Sequence, residues 1–152
     1  MRQLTYAMHF RGQASRSVDK ATVLRTTSSG TSCRMETVVG PTGVETTLHP
    51  APGDLAFLDY ELRLTEGDAF EGEGVLTFGE EENDHALHFK TAYPGHLGPS
   101  ANPGVMHGTV SWRVSGGAGR FQTATGFIAS TFTLNEAGEL SDYHCGLIFV
   151  SE

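Results

Sequence analysis

Histidine and tyrosine are the side chains here whose types suit chemistry near neutral pH, since each can pass a proton without a metal or cofactor. The 152-residue chain carries seven histidines and four tyrosines. His144 alternates with Gly146, Ile148 and Val150, so on an extended strand it can point inward with aliphatic neighbours. Tyr60 alternates with Leu58, Leu62 and Leu64, and Tyr6 with Leu4, Met8 and Phe10. Phe89 and Tyr93 share a face with Leu87, and Trp112 shares one with Met106, Val110 and Val114. Two readings of this aromatic set stay open. One is ordinary core packing; the other is a pocket lined by rings, with tyrosine hydroxyls and the indole N–H orienting a ligand. On the second reading Tyr60 and His144 are the candidate catalytic proton carriers, and Tyr6, Phe89, Tyr93 and Trp112 the candidate ligand-binding residues.

The remaining histidines offer less. His85 and His88 are three apart, hence on opposite strand faces, which argues against joint metal ligation. His107 alternates with Thr109, Ser111 and Arg113 and reads as exterior, while His96 falls in a loop. No Ser-His-Asp or zinc-ligand spacing can be drawn, and no cofactor or metal is expected. Glycines 116, 117 and 119 invite a phosphate-loop reading, but no Lys-Ser/Thr follows and the next residues are strand-like, so a turn is expected.

Strands must position these groups. Period-two alternation recurs along the chain, and no dozen residues show apolar positions every three to four. Extended segments are read at 4–10, 21–28, 32–39, 43–49, 56–65, 69–78, 85–93 and 105–115, followed by further strands to 150. Turns are placed at Ser29-Gly30 and at Gly40-Pro-Thr-Gly43, and an irregular loop or lid at Pro94 to Gly104. Glycines inside the strands (Gly72, Gly74, Gly108, Gly126 and Gly146) mark sharp curling or a side chain laid across the backbone. The expected fold is all-β, one domain over 1–152, a closed antiparallel barrel of about eight strands; an open sandwich is the alternative. The last strand, Tyr143 to Val150, is apolar on both faces, so one face can line the barrel and the other meet a second subunit.

Net charge is −8, and eight acidic residues lie between Glu66 and Asp84 without one Lys or Arg. Phosphate-binding surfaces need a basic stripe, so nucleic acid is not an expected partner. The acidic run reads as a solvated face, and Gly79 to Asp84 lacks the spaced oxygen ligands of a calcium loop. No run approaches the roughly 18 apolar residues of a membrane helix, so no membrane partner is expected. The N-terminus lacks an apolar signal core, and Cys33 and Cys145 suit reduced thiols, so the expected location is cytoplasmic.

The phrase Gly116-Gly-Ala-Gly-Arg-Phe121, followed by Ala124-Thr-Gly126, a strand ending at Phe132, and Asn135-Glu-Ala-Gly138, carries a resemblance. It resembles the C-terminal signature of allene oxide cyclase-like and dirigent-like β-barrels, particularly their bacterial members, over residues 108–152. The resemblance implies a calycin-type eight-stranded barrel, often dimeric or trimeric, whose apolar pocket guides cyclisation or coupling by shaping a reactive molecule. The plant-type pattern places a carboxylate in the pocket from an early strand. Leu4 to Phe10 offers no acid here, and Glu61 and Glu73 lie on polar faces, so no catalytic carboxylate is carried over.

Three functions follow. The first is a barrel binding a small apolar molecule with cofactor-independent cyclase or isomerase activity. The second is a lipocalin-like carrier or sensor without turnover, and the third a packed barrel that self-associates.

Overall fold

A computed structural model describes residues 1–79 and 85–151. Its strands are β1 (Arg2–Arg16), β2 (Val23–Gly40), β3 (Gly43–Pro50), β4 (Ala56–Leu64), β5 (Ala69–Phe78), β6 (Ala86–Thr91), β7 (Gly95–Pro99), β8 (Val105–Ala118), β9 (Thr125–Asn135) and β10 (Glu139–Val150). Every pairing is antiparallel. Eight strands close a ring in the order β1, β10, β9, β8, β6, β5, β4, β2 and back to β1. Strand β7 continues the line of β6 between β5 and β8, and among the described residues β3 pairs only with β2. Closure removes the free edges that such strands would otherwise present, except along the β2–β3 hairpin. Most of the acidic turn, residues 80–84 with the calcium-loop question, lies outside the described residues.

Alternation dictates what is inside. The buried cluster draws on all eight ring strands, with Trp112, Phe10, Phe70, Phe89 and Phe132 its largest members. Rings of this size fit because small residues face them. A Cβ at Gly108 would overlap the Phe132 ring, one at Gly95 the Phe70 ring, and one at Gly146 the Tyr6 ring. The expectation that strand glycines accept a side chain across the backbone therefore holds at Gly108 and Gly146.

Three expectations need correction. Residues 21–28 and 32–39 are not two strands around a Ser29-Gly30 turn; β2 runs unbroken from Val23 to Gly40. Gly30 serves close strand approach, since a Cβ there would overlap the His9 carbonyl oxygen across the β1–β2 pairing. The segment from Pro94 to Gly104 is not wholly loop, because β7 pairs through it. Its alternation was hidden because Gly95 and Gly98 leave Leu97 as its one large buried apolar side chain. The third concerns Tyr93. Strand β6 ends at Thr91, the chain bends at Ala92 and Tyr93 ahead of Pro94, and Tyr93 leaves the inward row to stand 72% exposed. Proline has no N–H to give a ladder, which is a physical reason for the strand to stop there.

The outer wall differs around the ring. Across β2, β4 and β5 it is a lattice of charges: Arg25 lies 3.4 Å from Glu61, and Arg63 lies 3.7 Å from both Glu61 and Glu73. Glu61 and Glu73 are thus outside the ring, as their sequence parity implied. Across β1, β10 and β9 the outward residues Thr5, Ala7, Tyr143, Cys145, Leu147, Phe127, Ala129 and Thr131 form an uncharged stretch, with Arg11 and Glu139 following toward one end of the same wall. Among the described residues no helix is long and apolar enough to cross a membrane.

Candidate functional site

Tyr60 on β4 and His144 on β10 meet through a residue that the sequence reading passed over, Asp142. The carboxyl of Asp142 is fully buried and accepts a hydrogen bond from the Tyr60 hydroxyl (3.0 Å) and another from Ser130 Oγ (2.6 Å). His144 Nε2 lies 3.3 Å from the same carboxyl, within ion-pair distance but not aligned as a hydrogen bond. These groups meet because Asp142 and His144 are two apart on β10, Ser130 faces them from β9, and Tyr60 reaches across the ring. Thr26 and Ser28 on β2 spend their buried hydroxyls on the Tyr60 and Leu58 carbonyls, at 3.2 and 3.3 Å.

Aromatic rings close the cluster in. Trp112 packs 5.5 Å from the Tyr60 ring and 5.0 Å from Phe89, while His144 sits 5.1 Å from Phe10 and 6.5 Å from Phe89. The structure thus brings four of the six expected site residues, Tyr60, His144, Phe89 and Trp112, into one layer. Tyr6 stands nearby on β1, half-buried with its hydroxyl sealed, and Tyr93 is not part of the group.

Burial sets the electrostatics. Enclosure, then the charge of Asp142 and its hydrogen bond, push the Tyr60 hydroxyl well above the ordinary tyrosine range. Tyr6 is pushed up too, chiefly by burial and next by the charge of Asp142. Both phenols therefore keep their protons, and Tyr60 donates its own to Asp142. Ser130 gives its hydrogen to Asp142 rather than to His144, so the cluster holds no serine activated by a histidine base. Among the described residues, the Tyr6 hydroxyl, Trp112 Nε1 and both ring nitrogens of His144 have no hydrogen-bond partner. No three His, Cys, Asp or Glu side chains there gather as a metal site, and both cysteines are free thiols.

A cavity of about 640 Å³ opens elsewhere, at one mouth of the ring. Leu24, Leu64, Leu97 and Leu134 line its apolar part together with Val105 and Met106; Arg16, Asp68 and Glu136 supply its charges. Tyr60, Ser130 and His144 are separated from the hollow by one layer of inward side chains, to which Asp142 itself belongs beside Phe132. Stepping two residues toward the mouth from Tyr60, Ser130 and His144 passes Leu62, Phe132 and Asp142, and Leu64 and Leu134 come next on the first two strands. Leu62, Phe70, Phe132 and Leu140 are all buried, and the Phe70 and Phe132 rings lie 6.1 Å apart. The mouth was missed because its residues come from six strands and three loops, none distinctive alone. Asp142 had a signal: the alternation that turns His144 inward reaches it one step earlier. Comparison with known protein families, curated proteins and solved structures finds no match to this chain.

Proposed function

We propose that the chain is a small-molecule-binding β-barrel that holds a largely apolar ligand in its mouth cavity. One observation carries the reading: a hollow of about 640 Å³ with a leucine-rich wall and three charged side chains. That size falls in the range of small-molecule sites, and the mix of apolar wall with few polar groups is their usual make-up. The resemblance of residues 108–152 to allene oxide cyclase-like barrels supports the same reading, since those barrels are expected to enclose apolar molecules. With Asp68 and Glu136 set against a single Arg16, the mouth favours an uncharged polar head over an anionic one. Isothermal titration with 1-decanol and with decanoate tests this. Decanol is expected to bind the native protein more tightly than decanoate, and Leu134→Arg is expected to weaken decanol at least tenfold. Equal decanol binding by native and Leu134→Arg protein would remove the mouth as the site.

A second reading, cofactor-independent cyclase or isomerase chemistry, rests on the Tyr60–Asp142–His144 arrangement. Tyr60 would hold a proton and His144 would exchange one, with the aromatic layer shaping the substrate. That chemistry needs a substrate to pass Phe70 and Phe132. The binding reading needs no such passage and is therefore preferred.

A further inference from the structure

The β2–β3 hairpin leaves the ring as an arm, and its two faces differ in kind. Strand pairing sets Cys33 beside Pro50, Met35 beside Leu48, Thr37 beside Thr46 and Val39 beside Val44, so one face carries no charge at all. The other face carries Arg34, Glu36, Glu45 and His49, with a Glu36–His49 pair at 3.2 Å. The uncharged face is not covered: Met35 is 50% exposed, Val39 82% and Val44 64%. A two-stranded ribbon by itself is marginal in water, so an arm of this length with a bare apolar face calls for a partner.

The partner's surface is also present in this chain. The arm's uncharged residues have the outward parity of β2, so they continue the side of the sheet that carries the uncharged stretch of the β1–β10–β9 wall, from Thr5 and Ala7 across Tyr143, Cys145 and Leu147 to Phe127, Ala129 and Thr131. On that wall Tyr143, Leu147 and Phe127 are exposed. Because arm and wall are the same side of one continuous sheet, neither can fold over the other within a single copy. Two copies related by a twofold axis can lay each arm on the other's wall, a self-complementary arrangement. Charge favours this occupant: in a chain of net charge −8, copies repel least where they meet through surface without acids, and the uncharged arm face and the part of the wall made by Thr5, Ala7, residues 127–131 and residues 143–147 carry none. Size suits it too. The eight residues of β3 span about 26 Å, and two exchanged arms with the walls they cover bury on the order of 1,000 Å², the lower bound for a specific interface.

We infer that the chain forms a twofold dimer in which the Cys33–Pro50 arm of each copy lies, uncharged face down, on the β1–β10–β9 wall of the other. Sedimentation velocity on the full chain at about 50 µM, a working concentration matched to a modest interface, tests it with three variants. Val39→Glu on the uncharged arm face and Leu147→Glu on the wall are each expected to weaken the dimer at least tenfold. Val38→Glu, on the charged face of the same arm, is expected to leave it within twofold. All three sites are exposed, and an unchanged circular dichroism spectrum separates lost association from lost fold. A monomeric or trimeric native protein overturns the inference. So does loss in Val39→Glu without loss in Leu147→Glu, which would put arm against arm, or an equal effect of Val38→Glu.

Discussion

The middle of the ring and its mouth are built on the same strands, yet they solve opposite problems. In the middle, Asp142, Tyr60, Ser130 and His144 are polar groups sealed from solvent and tied to one another. At the mouth, Leu24, Leu64, Leu97 and Leu134 are apolar groups left facing a hollow. A buried carboxyl is tolerated only where donors meet it, so the middle is held in one arrangement. Leu24 and Leu97 are already buried there, whereas Leu64 and Leu134 are only half-buried and keep apolar surface to give a ligand. The difference teaches where to look for function: polarity alone points to the sealed middle, whereas unspent apolar surface points to the mouth.

The sharpest way to break the comparison is to remove the carboxyl. Asp142→Ala strips the acceptor from two buried hydroxyls and the partner from His144, and is expected to cost about 4 kcal/mol. For a chain of this length that lowers the melting temperature by roughly 10 °C, read by calorimetry. A loss under about 1 kcal/mol would mean that the middle accepts water.

Joining the two regions comes next. Phe132→Ala removes the ring between cluster and mouth and is expected to cost about 3 kcal/mol. The chain has one tryptophan, Trp112, and it is fully buried, so its fluorescence reports on the middle alone. In the native protein, decanol at the mouth and acrylamide in solution should leave that emission nearly unchanged. In Phe132→Ala both should shift or quench it. Native emission that already responds to decanol would show that the mouth ligand reaches the aromatic layer, and would favour the catalytic reading.

Alkaline pH probes the same seal more gently. Tyr60 and Tyr6 hold their protons more tightly folded than unfolded, so their contribution is complete below the free phenol range near pH 10. It is lost as pH rises above that range, because the unfolded chain ionises first. Tyr60→Phe is expected to flatten the fall in stability between about pH 10 and 11.5, measured by urea unfolding at each pH. An unaltered slope would show that Tyr60 does not carry this dependence.

Much of the middle was legible from alternation alone. Tyr60, Phe89 and Trp112 each lie two residues from aliphatic side chains, His144 shares its face with Ile148 and Val150, and burial on one strand face requires that even spacing. Alternation assigns a face but not a partner, so it could not join Tyr60 to a carboxyl 82 positions away. It also fails where a strand stops, as at Tyr93, and where glycines thin the pattern, as in β7. The mouth was illegible for a different reason: a hollow is where side chains do not meet, and no residue type marks that.

The smallest effect sets the two regions side by side on one strand. Leu62 and Leu64 are the same residue two positions apart on β4, so propensity and side-chain chemistry cancel between them. Leu62 is 1% exposed within the separating layer, whereas Leu64 is half-buried and faces the hollow. Truncating a packed leucine leaves a void that neighbours cannot fill, and Leu62→Ala is expected to cost about 3 kcal/mol. Leu64 already borders open space, so its truncation adds to an existing hollow and should cost about 1 kcal/mol. Decanol binding should sort them the other way, with Leu64→Ala weakening it several-fold and Leu62→Ala leaving it nearly unchanged. Equal stability losses would mean that the mouth is packed in solution, and equal binding losses that the layer between the two regions does not separate them.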